Sequence, residues 1–102
     1  MSYIEAIAHR IRAAAYADRS IPEAENDDDL YLFYAILVLT VGEAVTQENV
    51  HDAWAAWASL KQPQHSSLRP FSQLSDRARL RDERFRRAIV EVARAHAGAG
   101  SR

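Results

Sequence analysis

The chain has 102 residues, 48% of them hydrophobic and 26% charged, with a formal net charge of −1 at pH 7 and no cysteine. That length suits one domain built on one core, and the composition is that of a globular chain rather than a disordered one. The lack of cysteine excludes a disulfide framework and thiol chemistry and fits a reducing, cytoplasmic compartment.

Residues 3–17 are predicted to form an amphipathic helix, because Ile4, Ile7, Ile11 and Ala14/Ala15 recur at helical spacing while Glu5, His9, Arg10 and Arg12 fill the other face. Ser2 and Glu5 have the spacing of a capping box. Residues 18–29, with Pro22, Asn26 and a run of acidic side chains, are predicted to be a loop.

Residues 30–41 (LYLFYAILVLTV) are apolar except for Thr40. Periodicity does not separate a buried strand from a buried helix here, but length and the Leu, Ala and Tyr content favour a helix. Asp27, Asp28 and Asp29 suit its N-terminal dipole, and Gly42 suits its stop. The stretch is too short to cross a bilayer, and no signal peptide is read at the start of the chain.

Thr46 is the predicted cap of a third helix over 47–61, with Val50, Ala53, Trp54, Trp57 and Leu60 as its apolar stripe. Residues 62–70 form a connection with two prolines, and 71–74 a short turn. Ser75 caps an Arg-rich fourth helix running to about residue 96, with Ala78, Leu80/Arg81, Phe85, Ala88/Ile89, Val92 and Ala93 on its stripe. Asp82 is read as a break or kink in it. The expected architecture is all-α: four helices over residues 1–97, an irregular loop between the third and fourth, and a disordered tail over 98–102.

Charge is uneven along the chain. Residues 1–51 hold three Arg against nine Asp and Glu, and residues 52–102 hold ten Arg and Lys against five. The favoured reading is that the two halves attract each other within one fold; a basic partner surface is the alternative. The run Arg77, Arg79, Arg81, Arg84, Arg86 and Arg87 reads as a solvated face paired with the acidic loop at 23–29, or else as an anion-binding surface.

No familiar catalytic motif occurs, so the chain is not expected to be an enzyme. His9, His51, His65 and His96 lack metal-site spacing, so neither zinc nor any other cofactor is expected. Residues 34–57 do have the helix–turn–helix order of elements. The would-be reading helix carries Glu48 and Asp52 and only Lys61 as a cation, which argues against nucleic acid. Trp54 and Trp57 lie one helical turn apart; either both are core, or one offers a stacking platform flanked by His51 and His65.

Residues 49–55 (NVHDAWA) and 64–74 (QHSSLRPFSQL), followed by a charged helix, resemble the ryanodine-receptor repeat (RyR) domain, which also recurs as a stand-alone form in bacteria and phages. That family pairs a His with a Trp-Ala step, and continues with His-Pro-x-Leu-x-Pro-Tyr/Phe-x-x-Leu before its charged helix. His51, Trp54, Ala55, His65, Leu68, Pro70, Phe71, Leu74 and Asp82 occupy matching positions. Ala58 stands where the family has Lys, Ser66 stands where it has Pro, and a Gly-Trp-x-x-Gly segment is missing.

The resemblance implies a non-enzymatic binding or assembly module, with a nucleotide-derived or other small anionic ligand. Trp54 would then be the stacking face, with His51 and His65 as polar neighbours and Arg69 as a nearby cation. The candidate ligand residues are therefore His51, Trp54, Trp57, His65, Arg69 and Phe71. The alternative is a protein-interaction or dimerisation module without a small ligand, in which the aromatic patch is interface or core; His51, Trp54, His65 and Phe71 would then simply tie the 64–71 loop to the third helix.

Overall fold

The computed structural model describes residues 1–17 and 27–100, with side chains as far as residue 98. Among the described residues there are four α-helices and no strand: α1 (Tyr3–Ala17), α2 (Asp28–Thr40), α3 (Gln47–Lys61) and α4 (Asp76–Gly100). Two single 3-10 turns, Gly42–Ala44 and Phe71–Gln73, punctuate the links between helices. The expected all-α, four-helix domain is what the chain forms.

Local chemistry sets most of the boundaries. Ser2 Oγ accepts from Glu5 N–H (3.1 Å) and Glu5 Oε1 accepts from Ser2 N–H (3.2 Å), the reciprocal box that starts α1. The Asp27 side chain accepts from Asp29 N–H and caps α2. Gly42, at φ 69°, turns the chain out of α2 in a conformation that disfavours any residue with a Cβ. Thr46 and Asn49 make a second reciprocal box at the start of α3, and Ser75 Oγ accepts from Ala78 N–H at the start of α4.

The helix α2 is the centre of the packing and touches α1, α3 and α4. Leu30, Tyr31, Tyr34 and Ala35 are at most 1% exposed and meet Ile11 of α1, Val50 of α3, and Phe85 and Ile89 of α4 in one core. Tyr31, Tyr34 and Phe85 form a mutually tilted aromatic trio, with centroids 5.1–6.2 Å apart. No helix among the described residues is long and apolar enough to cross a membrane.

Several details depart from expectation. Leu60 and Leu80 are exposed, and Ala58 and His51 take the buried positions on α3 instead. The helix α4 runs unbroken through Asp82, which is buried. It also continues to Gly100, past residue 98 where a disordered tail was expected; residues 101–102, and most of the acidic loop, lie outside the described residues.

Ion pairs join the two halves of opposite charge, Lys61 to Asp29 (3.0 Å) and Arg94 to Glu43 (2.8 Å). At the start of α2, Asp28 binds Arg12 and Asp29 binds Lys61; residues 23–26 of the acidic loop, the expected partner of the arginine run, lie outside the described residues. Within that run, Arg86 and Arg87 both bind Glu83 on their own helix. Arg79 reaches the backbone of the turn before α4.

Candidate functional site

The predicted site residues are placed by α3 and by the loop of residues 62–75. Pro63 and Pro70 fix φ in that loop. A series of short backbone bonds folds it: His65 N–H to Gln62 O (2.9 Å), Leu68 N–H to His65 O (3.1 Å), Gln73 N–H to Pro70 O (2.9 Å) and Leu74 N–H to Phe71 O (3.1 Å). The loop is a chain of tight turns, and its inward side chains reach back to α3.

Four of the six predicted side chains converge, those of His51, Trp54, His65 and Phe71, and Arg69 contributes its backbone carbonyl while the residue itself is exposed. His51 stacks on Trp54 (centroids 5.7 Å, interplanar angle 26°), and His65 meets the same indole edge-on at 4.9 Å. Phe71 lies 6.3 Å from the His51 ring. His51 Nε2 lies 2.6 Å from the carbonyl oxygen of Arg69 and donates to it, since that oxygen only accepts. The His65 Nδ1 in turn accepts from Ser67 N–H at 3.0 Å.

Trp57 is the residue left apart. It is buried in the main core and does not border the small cavity beside His51 and Trp54. Its indole N–H makes no hydrogen bond among the described residues.

Three further residues complete the cluster. Asp82 is buried, with Oδ2 3.8 Å from His51 Nδ1. Arg79 lies over the Phe71 ring at 4.8 Å and donates to the carbonyl oxygens of Phe71 and Ser72. Tyr34 lines the cavity from α2. Asp82 was legible in principle, because Ala78, Asp82, Phe85 and Ile89 recur at spacings of four, three and four along α4.

The cluster is tightly closed. Trp54 is 7% exposed and His51 3%. The cavity that they share with Tyr34, Ser67, Asp82 and Phe85 measures about 20 Å³, room for about one water molecule. Sites for drug-sized ligands are about 300–1,000 Å³. Two open polar grooves lie outside it and meet at exposed Arg69. One, about 280 Å³, is bordered by Ser66, Ser67, Gln73 and Ser75; the other, about 310 Å³, by His51, Asp52 and Ser59. Among the described residues, no three His, Asp or Glu gather to hold a metal ion.

A different surface stands out for its chemistry. The helix α2 is apolar on all sides (DDLYLFYAILVLT), and its buried arc accounts for only part of it. Ile36 and Leu39 are exposed, and Leu32 and Phe33 are only partly covered. Leu32, Phe33 and Ile36, with Ile4 of α1, border an open groove of about 480 Å³ rimmed by Ser2 and Glu5. Exposed Met1 and Tyr3 extend the apolar character at the start of α1.

The fold defines a small all-α domain with a closed aromatic clasp and one open apolar flank. The chain belongs to the family described as Domain of unknown function (DUF7701), whose sequence profile matches residues 2–94. No curated protein and no solved structure matches the chain.

Proposed function

We propose that this domain is a cytoplasmic, non-enzymatic protein-interaction module that seats another apolar helical surface on its α1–α2 flank. One observation carries the reading: a helix apolar all round ordinarily has all its faces covered, yet α2 keeps Ile36 and Leu39 exposed, 43% and 38%, beside a groove floored by Leu32, Phe33 and Ile4. Contiguous apolar patches of this kind mark interaction sites. On this reading the His51–Trp54–His65–Phe71 cluster is a structural clasp.

Photo-crosslinking from a probe at Leu39, in cells at natural expression level, tests the proposal. A discrete protein adduct is expected from position 39, lost when Ile36→Lys is added, and absent from a probe at Leu80 on α4. No adduct, or one indifferent to Ile36→Lys, contradicts it.

A second reading is the RyR-type module for a nucleotide-like or other small anionic ligand. It is favoured by the two polar grooves that meet at Arg69. Base stacking on Trp54 would first require the His51 and His65 rings to leave it. A ligand that binds only the folded state raises the melting temperature by mass action. A rise with adenine or cyclic nucleotides, abolished by Arg69→Ala, would support this reading; no rise across the panel would remove it.

A further inference from the structure

We infer that the occupant of the α1–α2 flank is a second copy of this chain, packed α2 against α2 with Ile36 near the two-fold axis. The inference rests on the interaction reading above and names its partner.

The first argument is spacing. Leu32, Ile36 and Leu39 are separated by four and three residues, the alternation that keeps one seam of a helix facing another helix. In heptad terms the β-branched Ile36 takes the a position and Leu32 and Leu39 take d positions, a choice that favours pairs over larger bundles. A two-fold interface uses one patch twice, so it must fit itself. A short stripe with Ile36 at its middle does so whichever way the partner helix runs.

The second argument is charge. Three of the carboxylates at the two ends of α2 have cations within the same chain: Asp28 binds Arg12, Asp29 binds Lys61, and Glu43 binds Arg94, while Asp27 caps the helix. Glu5, at the rim of the groove, accepts from Ser2 N–H. A second copy therefore meets little like-charge repulsion. The centre of the flank also offers no charge with which to select an oppositely charged stranger.

The third argument is area. The 13 residues of α2 span about 20 Å, and two adjacent helices are about 20 Å across, so the flat footprint is about 400 Å². Side-chain relief adds to that, which puts the contact toward the low end of specific interfaces. The dimer is accordingly expected to be reversible.

The chain has no cysteine, so Ile36→Cys introduces a single thiol with only a second copy to pair with. A symmetric disulfide needs Cα atoms about 4.4–6.8 Å apart, a condition met only close to the axis. Ile36 is exposed, so the variant should fold, and circular dichroism checks this. Mild oxidation is expected to give a covalent dimer rapidly from Ile36→Cys. Leu80→Cys, more exposed to chance collision on α4, should give several-fold less. Equal yields from both, or no dimer from Ile36→Cys, overturn the inference. If position 39 still yields an adduct with a different protein in cells, the interaction reading survives with another occupant; if it yields none, both fail.

Discussion

His51 Nε2 donates to the carbonyl oxygen of Arg69 across 2.6 Å. Through this bond a side chain of α3 holds the loop that leads to α4. The His51 ring also stacks on Trp54 and faces Asp82, so three segments of the chain share one buried imidazole.

Replacing His51 with Ala should cost about 2–4 kcal/mol, the sum of a lost buried hydrogen bond and lost ring packing. Urea denaturation measures the loss. His51→Gln, which keeps a donor in reach of the Arg69 carbonyl, should recover part of it. Hydrogen exchange should quicken at the Leu68 and Leu74 amides in His51→Ala, because the turns that they close depend on the clasp.

Trp54→Ala should destabilise the fold by about 3–5 kcal/mol, as for other buried aromatic side chains. An exposed stacking platform would lose far less on truncation. Chemical denaturation followed by circular dichroism separates the two cases.

The Glu83 carboxyl is lowered from an ordinary 4.5 to about 2, chiefly by its hydrogen bond to Arg86, with Gln47 and Arg87 adding to this and desolvation opposing it. A depressed carboxyl contributes stability above its unfolded value and loses it as pH falls toward the folded one. After allowance for solvent screening of the part-exposed arginines, Glu83→Gln should cost about 1–2 kcal/mol at neutral pH. The gap between wild type and variant should be full above about pH 5 and close progressively between pH 4.5 and 2. Parallel denaturation curves across pH read it directly.

Gly42 adopts φ 69°, and a Cβ built there meets nothing within 4 Å. Its replacement therefore isolates backbone strain from steric clash. Gly42→Ala should cost about 1–2 kcal/mol and Gly42→Asn less, since Asn tolerates the left-handed region better. Thermal denaturation of the two variants provides the comparison.

Those parts of the fold that depend on near neighbours were legible in the sequence. Ser2 with Glu5, Thr46 ahead of α3 and Ser75 ahead of α4 are contacts across three residues, and each pattern is realised. What depends on distant partners was not. The stripe on α3 was assigned one edge too far toward Leu60, because α3 packs against both α2 and α4 and its buried arc is centred on Trp54. A carboxylate in mid-helix looked like a kink, since only the fold brings His51 beside Asp82. The convergence of His51, Trp54, His65 and Phe71 was foreseen, but the closure of that spot around about 20 Å³ reflects packing that spacing does not encode. The open flank of α2 was hidden for the opposite reason: an all-apolar run does not say which of its faces stays uncovered.

Sedimentation velocity across a concentration series from micromolar to millimolar tests most directly whether the α1–α2 flank pairs with a second copy of the chain. The wild-type chain should move from its 11.5 kDa monomer toward twice that mass as concentration rises, while Ile36→Lys stays monomeric with an unchanged melting temperature. A wild-type chain that remains monomeric throughout, or an Ile36→Lys variant that associates just as readily, would contradict self-pairing through this flank.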